Sequence, residues 1–213
     1  MISSKEPVNQ SFLSHFPDKG QDVVVQWVKE FPVSIRLVDV RKTKAGDYRP
    51  GFKQQRAVIT LNNDPNKYRL MYVFAHEMAH HVAFTYYGRY IKPHGYQWKN
   101  VFFDLLMQLV QQQVFPSAIA AALPEHPARI RATIQGDTSL AESLSKFDGN
   151  KQQLYLYEIP DFAFFELENG AQFQKIKKRR IRYLCQNLKN KKYYTIAPGI
   201  AVKTIKNKGN RNS

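Results

Sequence analysis

Residues 74–84, FAHEMAHHVAF, set His76, Glu77, His80 and His81 into an otherwise apolar run. Working outward, the apolar pattern extends over 67–87 and predicts about five turns of helix, with Gly88 as its C-cap. The run is apolar on almost every side, which marks a central helix rather than a surface one. Ionisable groups in such a helix need a reason, because a buried unpaired carboxylate costs several kcal/mol or turns neutral.

The spacing supplies one. His76-Glu77-Met78-Ala79-His80 is an HExxH pattern, and residues four apart lie one above the other on a helix. Two imidazoles so placed reach one cation, and neutral imidazoles favour a transition metal, most often zinc. The expectation is one Zn2+ held by His76 and His80. Glu77 stands beside it as the catalytic base, placed to take a proton from water that the metal acidifies, ahead of attack on a peptide carbonyl. His81 points off that face and reads as a core histidine or a support to the ligands.

A catalytic zinc takes a third protein ligand and keeps a fourth position open. The metzincin continuation would need histidine at 86, where Tyr86 stands, so that class is excluded. Two candidates follow downstream. His94 lies in the Pro-Gly connection KPHG, and Asp104 lies on the next helix, where a gluzincin-type site would carry its carboxylate. His94 is favoured, with Asp104 read as a solvent-facing helix carboxylate. His15 and His126 flank prolines without a partner pattern and receive no role.

The surroundings mix both periodicities. Residues 22–31 predict a helix ending before Pro32, 33–40 and 56–62 predict strands, and 41–55 predict a loop. Residues 96–115 predict a second long helix closed by Pro116, followed by a short helical segment at 117–123. Residues 136–150 are polar and weakly patterned and read as a linker. Beyond it the period turns to two in QLYLYEI, FAFFELE, AQFQKI, IRYLCQNL, KYYTIA and IAVKTI, with Asn169-Gly170 as a hairpin signal. The fold class is therefore α+β: a domain over 1–135, the linker over 136–150, and a small antiparallel β-unit over 151–213.

Charge divides the chain in the same way. Of a net charge of +15, residues 171–213 contribute 13 Lys and Arg with no acid, while residues 1–170 carry 19 Lys and Arg against 17 Asp and Glu. That asymmetry points to a polyanion, nucleic acid first, gripped by Lys175, Lys177, Lys178, Arg179, Arg180 and Arg182 with tyrosines free to stack on bases. One cysteine excludes an internal disulfide framework and fits a reducing cytoplasm. No apolar run approaches membrane-spanning length, and MISSKEPVNQ has no apolar signal core, so no membrane partner is expected.

HEMAH followed by PHGYQWK resembles the SprT-like metalloprotease family, whose sites read HExxH, then HG and an aromatic two residues on. The resemblance covers residues 20–120 and includes the lead-in RKTKAGDYRP and RAVITLN. It implies a zincin-like helical protease core with a small sheet, His76, His80 and His94 as zinc ligands, and Glu77 as the catalytic glutamate. Relatives include Spartan-type proteases that cut proteins crosslinked to DNA, which implies nucleic-acid-bound protein substrates. Many members carry a four-cysteine zinc ribbon at the C-terminus. Here only Cys185 stands in that region, so a second zinc is not expected and Phe164, Phe173, Tyr183 and Tyr194 are expected to hold the β-unit by packing. A different reading is an accessory nucleic-acid binder whose metal site is structural or vestigial.

Overall fold

The computed structural model describes residues 8–41, 43–149 and 154–205. The chain forms two compact units, one of Met1–Ile130 with Phe147–Gly149, the other of Arg131–Lys146 with Asn150–Ser213. The expected start of the β-unit at 151 and the last linker position, 150, lie outside the described residues.

The first unit is built around a helix of 21 residues, α3 (Lys67–Tyr87), preceded by α1 (Gln10–Leu13) and α2 (Asp18–Glu30) and followed by α4 (Tyr96–Gln111) and α5 (Ser117–Ala120). Asn66 caps α3, its side chain accepting from the backbone of Tyr68 and Arg69, and Gly88 ends it at φ 75°, a region open to glycine. Both predicted ends of this helix are met. Its apolar sides are covered by Phe16, from the α1–α2 connection, and Trp27 of α2 on Phe74, and by α4 through Phe102 on Tyr72. Trp27 donates its indole N–H to Gln108 at 2.8 Å, so this polar handle is satisfied where it lies buried.

A three-stranded sheet in the order β1-β3-β2 packs on α3. β1 (Ser34–Val38) runs parallel to β3 (Val58–Asn62), and β2 (Gly46–Arg49) runs antiparallel to it as an edge strand. β2 corrects the loop expected over 41–55. Gly-Asp-Tyr-Arg has no apolar alternation, and tertiary contacts hold it instead. Asp47 pairs with Arg41, and with Lys44 at 3.0 Å, while Asn62 donates to the carbonyls of Arg41 and Lys44. Phe147–Gly149 belongs to this unit because Asp148 accepts from Arg69 and Asn66 at 2.5 and 2.7 Å, and Phe147 packs edge-on against Tyr68.

The second unit contains α6 (Thr138–Ser145) and a six-stranded sheet, β4 (Leu154–Tyr155), β5 (Phe164–Leu167), β6 (Gln172–Arg179), β7 (Arg182–Asn187), β8 (Tyr193–Ile196) and β9 (Ala201–Thr204), in the order β4-β9-β5-β6-β7-β8. Where a linker was expected over 136–150, α6 starts under an Asp137 cap and buries Leu140, Ala141 and Leu144. Those three residues already have helical spacing, hidden among Ser and Thr. Asn169 and Gly170 form the β5–β6 turn as expected, with Gly170 at φ 81°. The core of this unit is Leu156, Ile159, Phe165, Phe173, Tyr183, Cys185, Ile196 and Val202. Phe173 and Tyr183 pack as expected. Phe165 replaces Phe164, its neighbour on the opposite face, and Tyr194, 42% exposed at the sheet edge, packs edge-on against Phe173 at 5.8 Å. No helix among the described residues is long and apolar enough to cross a membrane.

Candidate metal centre

The site starts from helix geometry. One turn of α3 separates His76 from His80 and brings their rings edge-to-face, 5.0 Å apart, on the side facing α4. Trp98 of α4, fully buried, touches all three rings of His76, His80 and His94 at centroid distances of 4.7, 5.1 and 4.7 Å. His94 comes from the α3–α4 connection at φ 58°, a left-handed conformation that costs a non-glycine residue about 1 kcal/mol or more. The next residue closes the turn. Gly95 donates its N–H to the Lys92 carbonyl, and a Cβ there would lie 2.8 Å from that oxygen. The glycine therefore serves the turn that aims His94.

The three Nε2 atoms converge. His80 lies 3.3 Å from His76 and 3.1 Å from His94, and His94 lies 3.2 Å from His76. A tetrahedral ion with bonds of about 2.0–2.1 Å separates its nitrogen ligands by about 3.3 Å, so the triangle has the size of one face of a zinc tetrahedron. Burial, and then the other two histidines, push the His76 pKa down to about 3, and burial with His94 brings His80 down to about 4. Burial lowers His94 as well. These shifts favour neutral imidazoles near pH 7, the form that binds a metal ion, and the three Nε2 atoms face one another. This group can hold a metal ion.

Glu77 is 6% exposed. Burial first, then the Asp47 charge, push its carboxyl up to about 8, while Arg41 and Lys44 pull it down. A dication held beside it acts in the same direction as those two. The carboxylate fits because position 46 is glycine: a Cβ on Gly46 would lie 2.9 Å from both Cγ and Oε1 of Glu77. His81 is buried, as expected of a core histidine, with Nδ1 3.2 Å from the Tyr48 hydroxyl of β2. The Tyr48 ring lies parallel to that of His80 at 6.5 Å. Asp104 is exposed and takes no part.

Gly46, Tyr48 and Trp98 were not singled out from the sequence. Trp98 carried a signal, four residues after His94 at the start of a helix. Gly46 carried none, since its role depends on which strand lands on Glu77.

The six basic residues named from the sequence do not share one face. A bulge between Lys175 and Lys177 shifts the register of β6. Lys175 stays on the core side. It is 3% exposed, donates to the Ile159 carbonyl at 2.6 Å and sits 3.9 Å above the Tyr183 ring, so it is a buried structural cation and cannot meet a phosphate. After the bulge, Lys177 and Arg179 share the opposite face with Arg182, Thr195 and Tyr193. Lys178 lies opposite Tyr183 but is exposed, and Arg180 occupies the two-residue turn.

Comparison with known families supplies the remaining fact. The SprT-like family model matches residues 10–122. The chain belongs to the SprT-like family. The match contains His76, Glu77, His80 and His94 and stops before the basic sheet. The general nature of SprT-like proteins is that of zinc metalloproteases, and zinc is the ion this family suggests for the three histidines. No curated protein and no solved structure matches the chain.

Proposed function

We propose that this SprT-like chain is a zinc-dependent endopeptidase acting on nucleic-acid-associated proteins. The observation that carries the reading is the Nε2 triangle of His76, His80 and His94 with the Glu77 carboxylate one residue along α3. Three protein ligands among the described residues, rather than the four of a closed structural site, fit a centre that keeps a position for reactants. Zinc bound there supplies a Lewis acid and acidifies water to a pKa of about 7. Glu77, held against Gly46, takes the proton of the attacking water and returns it to the leaving amine nitrogen. Trp98 and the body of α4 keep bulk water from the ligands' inner side. β2, next to Glu77, is an edge strand among the described residues, and its outer side offers backbone groups along which an extended peptide can lie.

Nucleic-acid contact is assigned to the outer face of β6, β7 and β8: Lys177, Arg179, Arg182 and Tyr193, with Lys178 and Arg180 at the tip. Two local rules are broken there by basic residues. Arg179 and Arg182 stand directly opposite each other, an arrangement like charges disfavour, and Arg180 takes φ 34° in a hairpin turn that suits glycine. A polyanion relieves the first and gives the second a purpose.

The test is Glu77→Gln, assayed on an unfolded protein substrate with and without single- and double-stranded DNA. The expected result is a fall in cleavage of at least about a hundredfold with metal content unchanged. Cleavage equal to wild type contradicts the mechanism. Absence of turnover in the wild type, with DNA affinity that survives chelation, favours the accessory-binder reading.

A further inference from the structure

The first unit holds 16 Lys and Arg against 11 Asp and Glu, a balance of +5, and one exposed loop of it carries cations alone. Residues 50–57 join β2 to β3, and with Arg49 they carry Lys53 and Arg56 and no acid. All of 49–56 is exposed, and Phe52, at 72%, is among the most exposed aromatics of the chain. Lys53 and Arg56 have no ion pair among the described residues; Arg49 approaches only Asp47, at 3.5 Å.

The loop has a built shape. Gln55 donates its N–H to the Phe52 carbonyl, and Gly51 allows this turn because a Cβ there would lie 2.4 Å from the Gln55 carbonyl oxygen. Lys53 takes φ 55°, and its ammonium stands 5.6 Å from the Phe52 ring centroid. An exposed ring with Lys53 beside it, and with Arg49 and Arg56 in the same exposed segment, combines the two elements of single-strand recognition, a stacking plane and phosphate partners. Because the loop is already turned, little ordering cost attaches to binding.

Its position gives the contact a use. The same strand that ends at Arg49 begins at Gly46, against Glu77, and carries Tyr48 beside His80. We infer that Phe52, with Arg49, Lys53 and Arg56, binds single-stranded nucleic acid at the rim of the metal centre, Phe52 stacking on a base and the three cations holding phosphates. This second contact rests on the proposed action on nucleic-acid-bound proteins for its purpose: a strand gripped here runs beside the edge along which the attached protein would be cut. An acidic peptide would meet the cations equally well but has no use for the flat ring.

The experiment is anisotropy of a fluorescent oligothymidine with the full chain over a salt series. Arg49→Gln/Lys53→Gln/Arg56→Gln is expected to reduce the slope of log affinity against log salt by about 2, at roughly 0.7 per phosphate contact on a single strand. Phe52→Leu, which keeps an apolar side chain without the π-face, is expected to lower affinity about tenfold with the slope unchanged. Wild-type slope and affinity in both variants overturn the inference. So does labelled polyglutamate binding more tightly than the oligonucleotide and weakening in the same variants, which identifies an acidic protein chain as the partner. No turnover is read, so a failure of the peptidase reading would show in the Glu77→Gln assay and leave this outcome legible.

Discussion

At the scale of single residues, the reach of Glu77 is set by an atom that position 46 does not have. A methyl group on Gly46 would stand 2.9 Å from Glu77 Oε1 and as close to Val73 Cγ1, so Gly46→Ala presses on both side chains of α3, the carboxylate among them. The expected outcome is a loss of kcat of at least about tenfold with zinc content and KM near wild type, measured by steady-state proteolysis and elemental analysis. Equal kcat would show that the strand yields rather than the carboxylate. Lys175 provides the opposite case, a residue whose chemistry suggests a ligand contact and whose burial denies it. Lys175→Gln leaves the Ile159 carbonyl and the Tyr183 face without their cation, and is expected to destabilise the second unit by about 1–3 kcal/mol in thermal unfolding. The salt slope of oligonucleotide binding should not move. Neither role could be read from residue type alone: Lys175 sits in a run of basic neighbours, and only the bulge beside it decides which of them turn inward.

At the scale of elements, what the sequence made legible follows from how local the determinants are. α3 was readable to its ends because its cap, its apolar content and its terminating glycine all lie within it or next to it. The six strands of the second sheet were readable from period-two alternation and one Asn-Gly turn. β2 was not, since Gly46–Arg49 exists as a strand only through β3 and through the Arg41, Lys44 and Asp47 cluster. α6 was not, because Leu140, Ala141 and Leu144 are too few to outweigh their polar neighbours in a composition reading. The β6–β7 hairpin gives a prediction at this scale. Arg180→Gly relieves a left-handed φ and should stabilise the unit by about 0.5–1 kcal/mol, seen as a higher melting temperature. The same change should weaken oligonucleotide binding through the lost charge. A variant that gains stability with no loss of affinity would remove Arg180 from the contact.

At the scale of the whole chain, two units carry two kinds of chemistry. The histidine triangle, Glu77 and the edge strand belong to the first, and most of the net charge of +15 belongs to the second. The SprT-like match covers the first alone, so the family accounts for the metal chemistry and the basic sheet must be argued from its own residues. That division explains why the site was the more legible half: a metal centre needs particular residue types at fixed spacing, whereas a polyanion surface needs only charge that happens to face outward. Both kinds of chemistry meet in one protease only if the three imidazoles act as one ligand set. Elemental analysis of protein purified with ample zinc tests this directly, comparing wild type with His94→Ala. The expected result is one zinc per wild-type chain and far less than one in the variant; a wild type without bound metal, or a variant that keeps a full zinc, would contradict it.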